Sequence, residues 1–142
     1  MYDLVVEGSY PEDMPEDVKV DCIVFNDVLE HTVDPWSVLR ETKRHLNVGG
    51  CVVASIPNVR YLPVLIDLIF RSRWEYVDEG VLDRTHLRFF TRSTIEEMFA
   101  SSGLKIARLE PINPFRRRGG ALLKGVLGDT RYLQFAVLAR PV

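Results

Sequence analysis

Two apolar runs with a helical pattern between them are the clearest feature of the chain. Cys22–Phe25 and Cys51–Ile56 are too continuously apolar for half-exposed strands, so they predict parallel strands buried on both faces. Between them, Asp34 can cap a helix that begins at Pro35 and runs to Leu46. The asparagine and glycines that follow can adopt the left-handed conformation that ends helices. This stretch therefore predicts a strand–helix–strand unit.

Further elements are predicted on both sides of this unit. We expect a short strand over Tyr2–Glu7 and a polar loop from Tyr10 to Lys19. A helix from Leu62 to Phe70 is apolar on two sides, which indicates either burial or an apolar surface against a substrate or partner. The segment Trp74–Phe90 has no clear period but is rich in aromatic residues, which is typical of a lid or binding loop rather than of disorder.

The carboxyl-terminal part predicts one helix and two strands. Ser93–Glu96 matches a capping box for a short helix that Gly103 closes. Apolar residues then alternate from Leu104 to Leu109, as in a half-buried strand. A last strand is predicted from Tyr132 to Ala139.

Length and composition predict a single domain. A chain of 142 residues, 46% of them hydrophobic, can bury one core, so we expect one incomplete domain over residues 1–142. Within it, residues 71–92 are expected to form a substrate or lid loop, and residues 115–131 a basic connection. No long apolar run or signal-like leader is seen, so no membrane partner and a cytoplasmic location are expected. Cys22 and Cys51 are interpreted as small buried hydrophobic residues.

Charge is divided unevenly along the chain. Residues 1–34 carry a net charge of −9 and the remainder +7, within a total of −2. The acidic part argues against binding of nucleic acid there. The basic cluster of Arg116, Arg117, Arg118 and Lys124 lacks an aromatic ladder or a basic helical stripe. We therefore interpret it as a solvated loop and expect no nucleic-acid partner.

Polar residues gather where the first predicted strand ends. They are Asn26, Asp27, Glu30 and His31. Open parallel sheets bind ligands at this edge, so we expect a site here. One alternative is a metal-dependent hydrolase that uses Glu30, His31, Asp34 and His86. Because the Glu-His-x-x-Asp run lacks a further histidine at matching helical spacing, no metal site is predicted.

Several motifs, at this edge and beyond it, are similar to those of a known family. They are NDVLEHTVDPWSVL, the GG that follows, SIPN and GVLDRTHLRFFT. They resemble the second half of the class I S-adenosylmethionine-dependent methyltransferases of the small-molecule type 11/23 group, over roughly Val5 to Ala139. The resemblance implies an α/β fold: a partial Rossmann-like sheet with parallel strands, a carboxyl-terminal antiparallel strand and helices on both faces. It also implies methyl transfer to an unidentified small-molecule acceptor.

The resemblance implies roles for individual residues. Those expected to bind the cofactor, S-adenosylmethionine, are Ser9, Asn26, Asp27 and Val28. Those expected to bind the acceptor are Asn58, Asp83, His86 and Arg88. His31 is the candidate catalytic base, because histidine has an unperturbed pKa of about 6.5. Structural alternatives stay open: His31 as a loop contact, Asp27 as a turn residue, and Asp83, His86 and Arg88 as parts of a loop that its own Asp–Arg pairs hold in place.

The first half of the family's domain has no counterpart in these motifs. Its first strand, glycine-rich turn and ribose-binding acid are not seen, so cofactor binding is expected to be weak or lost. A non-catalytic binding or dimerisation module is the alternative. The family's strand order, three-two-one-four-five-seven-six, implies an open edge on the Asp21–Phe25 strand. Either Leu4–Glu7 pairs with that edge, or a second chain covers it in a homodimer or strand-swapped assembly.

Overall fold

The computed structural model describes residues 5, 7–115 and 128–142. The strands within these residues are β1 (Val20–Asn26), β2 (Leu46–Pro57), β3 (Leu104–Pro114) and β4 (Tyr132–Pro141). The α-helices there are α1 (Pro35–Thr42), α2 (Leu62–Arg71) and α3 (Arg92–Ser101). Short 3-10 turns occupy Leu29–His31, Lys43–His45 and Gly128–Arg131. The predicted Tyr2–Glu7 strand, the Arg116–Arg118 cluster and most of the 115–131 connection fall outside the described residues.

The sheet has the strand order β1-β2-β4-β3 within the described part of the chain. β1 and β2 are parallel neighbours, with Cys22 opposite Cys51 and Asn26 opposite Ser55. β4 lies antiparallel between β2 and β3, as the resemblance implies for a carboxyl-terminal strand. The predicted strand–helix–strand unit is therefore confirmed, and the carboxyl ends of β1 and β2 lie at the same edge of the sheet.

The core lies between one face of the sheet and the helices α1 and α3. It is built from side chains that are at most 5% exposed: Phe25, Val52, Ile56 and Phe135 from the sheet, and Leu39, Ile95 and Phe99 from the helices. The sheet members alternate along their strands, so they share one face. Burial of aromatic and branched side chains on this face holds the helices against the sheet.

The opposite face of β1 is open. Cys22 is exposed and Val24 is 54% exposed, so the prediction that both faces of this strand are buried is wrong. The helices that contribute buried residues, α1 and α3, both pack on the side of Phe25. An apolar run indicates that a strand can be buried, but it does not indicate whether another helix or strand packs against each of its faces. The outer edge of β1 is likewise unpaired within the described residues.

The turn between α1 and β2 differs from the prediction. Asp34 does cap α1, accepting a hydrogen bond from the Ser37 N–H at 3.0 Å. The helix ends at Thr42, however, and β2 already begins at Leu46. Gly49 and Gly50 therefore lie inside β2, where a bulge interrupts the pairing with β1. A Cβ on Gly50 would lie 2.9 Å from the Asn47 carbonyl oxygen, so this close approach requires glycine.

Helix α2 begins and ends almost where the sequence predicts, yet none of its residues is buried. Its last turn exposes Leu68, Ile69 and Phe70 by 44, 65 and 79%. Of the two predicted possibilities, the apolar surface is therefore the one found. Among the described residues, no helix combines the length and the hydrophobicity needed to cross a membrane.

The capping box of α3 lies two residues earlier than predicted. Thr91 is the N-cap: its hydroxyl accepts from the Thr94 N–H, and the Thr94 hydroxyl accepts from the Thr91 N–H at 2.9 Å. Ser93 lies within the first helical turn. Gly103 follows the helix with a φ of +74°, which confirms the predicted end.

Thr91→Ala should destabilise the protein by about 1 kcal/mol, because it removes a side-chain cap from α3. The matched variant Ser93→Ala should change the free energy of unfolding by less than half as much. Urea denaturation of both variants measures the difference. Equal effects, or a larger effect at Ser93, would contradict this assignment of the cap.

Candidate functional site

A cleft of about 300 Å³ opens at the carboxyl ends of β1 and β2, and we call it the strand-tip cleft. Its lining residues are Asp27, Glu30, His31, Pro57, Glu79, Gly80, Val81, Asp83, His86, Leu133 and Gln134. Asp27 follows β1 and Pro57 ends β2, so the tips of both strands contribute to the cleft. Lysine and arginine are missing from the lining formed by the described residues.

Asp27 is held at the cleft by three strands. Its φ of +51° turns the chain sharply after β1, and its N–H donates to the Ser55 hydroxyl at 3.1 Å. The Gln134 amide on β4 donates to the Asp27 carboxylate. Gln134 in turn accepts from the Asn113 amide at 2.8 Å. Gln134 cannot be recognised from the sequence pattern, because it lies 107 residues away from Asp27 in an apolar strand.

Glu30 is the most buried charged group of the cleft, at 1% exposure. Its backbone carbonyl accepts from the Leu87 and Arg88 N–H groups at 2.8 and 3.0 Å, which ties the segment before α3 to the sheet edge. Neither carboxylate oxygen has a hydrogen-bond partner among the described residues. Burial raises the pKa of Glu30 to about 7, and the negative charge of Asp27 also raises it.

Two histidines meet beside Glu30. The rings of His31 and His86 pack edge to face with centroids 4.6 Å apart. Nδ1 of His86 lies 3.0 Å from the Val81 carbonyl oxygen, and Nδ1 of His31 lies 3.2 Å from that of Thr85. Because a carbonyl oxygen only accepts, Nδ1 carries the proton in each neutral ring. Nε2 is then left with a free lone pair in both.

A threonine and an aspartate orient His31 further. The Thr85 hydroxyl donates to the Asp83 carboxylate at 2.6 Å, so it accepts from Nδ1 of His31 at 3.0 Å. Hydrogen bonds from the Thr85 hydroxyl and N–H hold the pKa of Asp83 below its usual value. Asp83 therefore remains ionised and fixes the tautomer of His31 through Thr85.

The other predicted site residues do not line the cleft. Asn26 and Val28 are exposed beside Asp27, and the Ser9 N–H donates to Asp13 within the amino-terminal loop. Asn58 is fully buried, and its amide donates to the Asp129 and Tyr132 carbonyls at 3.0 Å. The Arg88 guanidinium donates to the Val33 carbonyl. Asp34, from the hydrolase alternative, caps α1.

A second cavity, of about 500 Å³, lies near the amino-terminal loop. It is lined by Pro11, Glu12, Met14, Glu16, Lys19, Glu41, Arg44 and His45. It is larger than the strand-tip cleft, but it lies away from the carboxyl ends of the parallel strands, where open sheets bind ligands. We therefore take the strand-tip cleft as the candidate site.

A family model described as a methyltransferase domain matches residues 3–109. The chain belongs to this methyltransferase family. The match covers β1, the strand-tip cleft residues up to His86, and α3. Comparison with curated proteins finds no match.

Solved methyltransferase structures share the fold of this member of the family. A methyltransferase from Archaeoglobus fulgidus aligns with a TM-score of 0.58 and 14% identity, over 87% of this chain and 60% of that one. Magnesium protoporphyrin IX methyltransferase from Synechocystis aligns at 0.56 and 12%, over 88% and 46%. An O-methyltransferase from neocarzinostatin biosynthesis aligns at 0.52 and 15%, over 90% and 31%. The chain thus spans between 31 and 60% of the length of these proteins.

Stability should fall as the pH rises from about 4.5 to 7, because folded Glu30 keeps its proton in this range while unfolded Glu30 loses it. Above pH 7, ionisation of Glu30 should lower the free energy of unfolding by roughly 3 kcal/mol. Glu30→Gln removes the charge and keeps the shape, so it should be more stable than the parent at pH 8 and similar at pH 4.5. Urea denaturation with a chelator present measures both.

Comparison of the two proteins isolates Glu30 from the other groups that face it, Asp27, His31 and His86. A parent protein that is as stable as Glu30→Gln at pH 8 would contradict the buried, unpaired state of this carboxylate.

Proposed function

We propose that this chain takes part in S-adenosylmethionine-dependent transfer of a methyl group to a small-molecule acceptor that binds in the strand-tip cleft. The observation that carries the proposal is the meeting of the β1 and β2 tips around His31, in a chain of the methyltransferase family. Two of the solved relatives were determined with S-adenosylhomocysteine, and one of these also contains 1,4-dihydroxy-2-naphthoic acid.

The residues at the tip of β1 fit part of the cofactor. Asn26 and Val28 are exposed there, and Asp27 presents its carboxylate to the cleft. The cleft is also lined by Glu79 and Asp83, so its charge favours a positively charged donor such as a sulfonium. When bound, the cofactor supplies the methyl group and leaves as a neutral thioether. Asn26, Asp27 and Val28 are the described residues that we expect to hold it.

His31 is proposed to activate the acceptor. Its Nε2 has a free lone pair, because Nδ1 donates to Thr85. A base is needed only where the attacking group must lose a proton, as a hydroxyl must. Asp83 and His86 line the same cleft and can contact a polar acceptor. The 71–92 segment, which carries them, is proposed to close over the acceptor.

Most of the rate acceleration in such a transfer comes from the positioning of the two reactants. The leaving thioether needs no acid, so the protein has to hold the nucleophile and the methyl carbon in line at near contact. Well-aligned systems gain up to about 7 to 11 kcal/mol in this way. The hydrogen bonds that fix Asp27 and His31 therefore matter as much as the chemistry of either side chain.

His31→Gln should lower the methyl-transfer rate by about 10²- to 10⁴-fold, because it removes the lone pair of Nε2 and keeps the side chain polar. Affinity for S-adenosylmethionine should change little. His45→Gln is the control, because Nδ1 of His45 also faces a backbone carbonyl oxygen but His45 lies outside the strand-tip cleft. An equal loss of rate in both variants would argue against a role for His31.

Asp27→Asn should weaken binding of S-adenosylmethionine at least fivefold in isothermal titration calorimetry, because it removes one of the charges that face the sulfonium. Asp21→Asn, at the other end of the same strand, should leave the affinity unchanged. If the parent chain shows no detectable binding of S-adenosylmethionine, the catalytic proposal is refuted.

A non-catalytic binding or dimerisation module is the second candidate. It is supported by β1, whose outer edge is unpaired within the described residues and whose open face carries the exposed Val24. Light scattering distinguishes the two candidates when it is combined with calorimetry. A dimer that does not bind S-adenosylmethionine supports the module, and a monomer that binds it supports the enzyme.

A further inference from the structure

A buried carboxylate without a partner demands an explanation. Glu30 is 1% exposed, yet neither of its oxygens accepts a hydrogen bond among the described residues. Such a carboxylate is costly to bury when it is ionised, and proteins satisfy it with a proton, a donor or a cation. Asp27 brings a second carboxylate to the same cleft and cannot donate when it is ionised. The cleft therefore has acceptors in excess of donors.

The neighbouring histidines are prepared as ligands rather than as donors. In both His31 and His86, Nδ1 donates to a backbone carbonyl, so Nε2 has the free lone pair. Histidines that bind metals characteristically donate their other ring N–H to a carbonyl or carboxylate, which fixes the ring and raises its basicity. Thr85 and Asp83 extend this arrangement behind His31.

The distances suit one ion. One ligand atom from each of Glu30, His31 and His86 lies within 4.8 Å of the others. Oε1 of Glu30 and Nε2 of His86 are 3.9 Å apart. Two ligands of one ion lie roughly 3 to 4 Å apart when each bond is about 2.1 Å.

We propose that Glu30, His31 and His86 bind a divalent transition-metal ion in the strand-tip cleft. Two imidazoles and one carboxylate suit ions such as Zn²⁺ or Co²⁺ better than Mg²⁺ or Ca²⁺, which prefer oxygen ligands. Three protein ligands leave coordination positions open for a small molecule. No lysine or arginine among the described residues lines the cleft to oppose the ion.

This site refines the role of His31, and that refinement rests on the proposed function. A bound ion would supply Lewis-acid chemistry: it would lower the pKa of an acceptor hydroxyl, whose proton would pass to solvent. In the loaded protein, His31 would act as one of the residues that hold the ion. Binding of the ion itself does not depend on methyl transfer.

Titration with Co²⁺ tests the site, because its visible absorption bands report nitrogen and oxygen ligands. The protein is first treated with a chelator and dialysed. We expect one equivalent of Co²⁺ per chain, displaced by Zn²⁺. Glu30→Gln, His31→Gln and His86→Gln should each weaken binding at least tenfold, whereas His45→Gln should bind as the parent does.

Circular dichroism must show that each variant is folded, and Glu30→Gln is the decisive one because it keeps the shape of the side chain. Absence of saturable Co²⁺ binding, or equal binding by the parent and Glu30→Gln, would overturn the proposal. Calorimetry with S-adenosylmethionine in the presence of chelator separates it from the proposed function. If the protein binds the cofactor but no metal, only the proposed metal site is refuted. If it binds metal but no cofactor, only the proposed methyl transfer is refuted.

Discussion

The parallel pairing of β1 with β2 is the constraint on which the rest of the structure depends. Parallel strands end at the same edge of a sheet, so this pairing brings the turns after β1 and β2 together. The paired stretch runs from Cys22 opposite Cys51 to Asn26 opposite Ser55. The face of Phe25 is sealed by α1 and α3, which leaves the strand tips as the place where polar side chains can gather. Without this pairing, Asp27 and Glu30 would have no common cleft with Pro57.

Backbone hydrogen bonds to Glu30 join this edge to the irregular segment before α3. The carbonyl of a single residue accepts from two consecutive N–H groups, those of Leu87 and Arg88. As a result, His86 is held beside Glu30, although the two lie 56 residues apart in the sequence. The same residue thus anchors the segment through its backbone and presents an unsatisfied carboxylate to the cleft through its side chain.

Sequence patterns predict elements well where local physics decides them. The cap at Asp34, the helix from Leu62 and the strand from Tyr132 all depend on propensity and short-range pattern, and all were found. The bulge at Gly50 was missed, because it exists only when β1 packs beside it. Exposure of Val24 was missed for a related reason: an apolar run does not reveal whether another element covers it.

The candidate site likewise combines residues that a local pattern predicts with residues that only long-range contacts bring together. Asp27, Glu30 and His31 can be predicted from their position after an apolar strand. The meeting of His86 with Glu30, and the support of Asp27 by Gln134, depend on contacts between distant segments. Spacing alone therefore gives no sign of the Glu30, His31 and His86 cluster, because its members come from two parts of the chain.

The central claim is that ligands of this chain bind where β1 and β2 end. Amide chemical shifts, followed by NMR during titration with S-adenosylhomocysteine, test it most directly. The account predicts shifts at Asn26, Asp27 and Val28, and at Val81 and Gln134 across the cleft. Shifts confined to the cavity between Pro11 and His45, or none at saturating ligand, would contradict it.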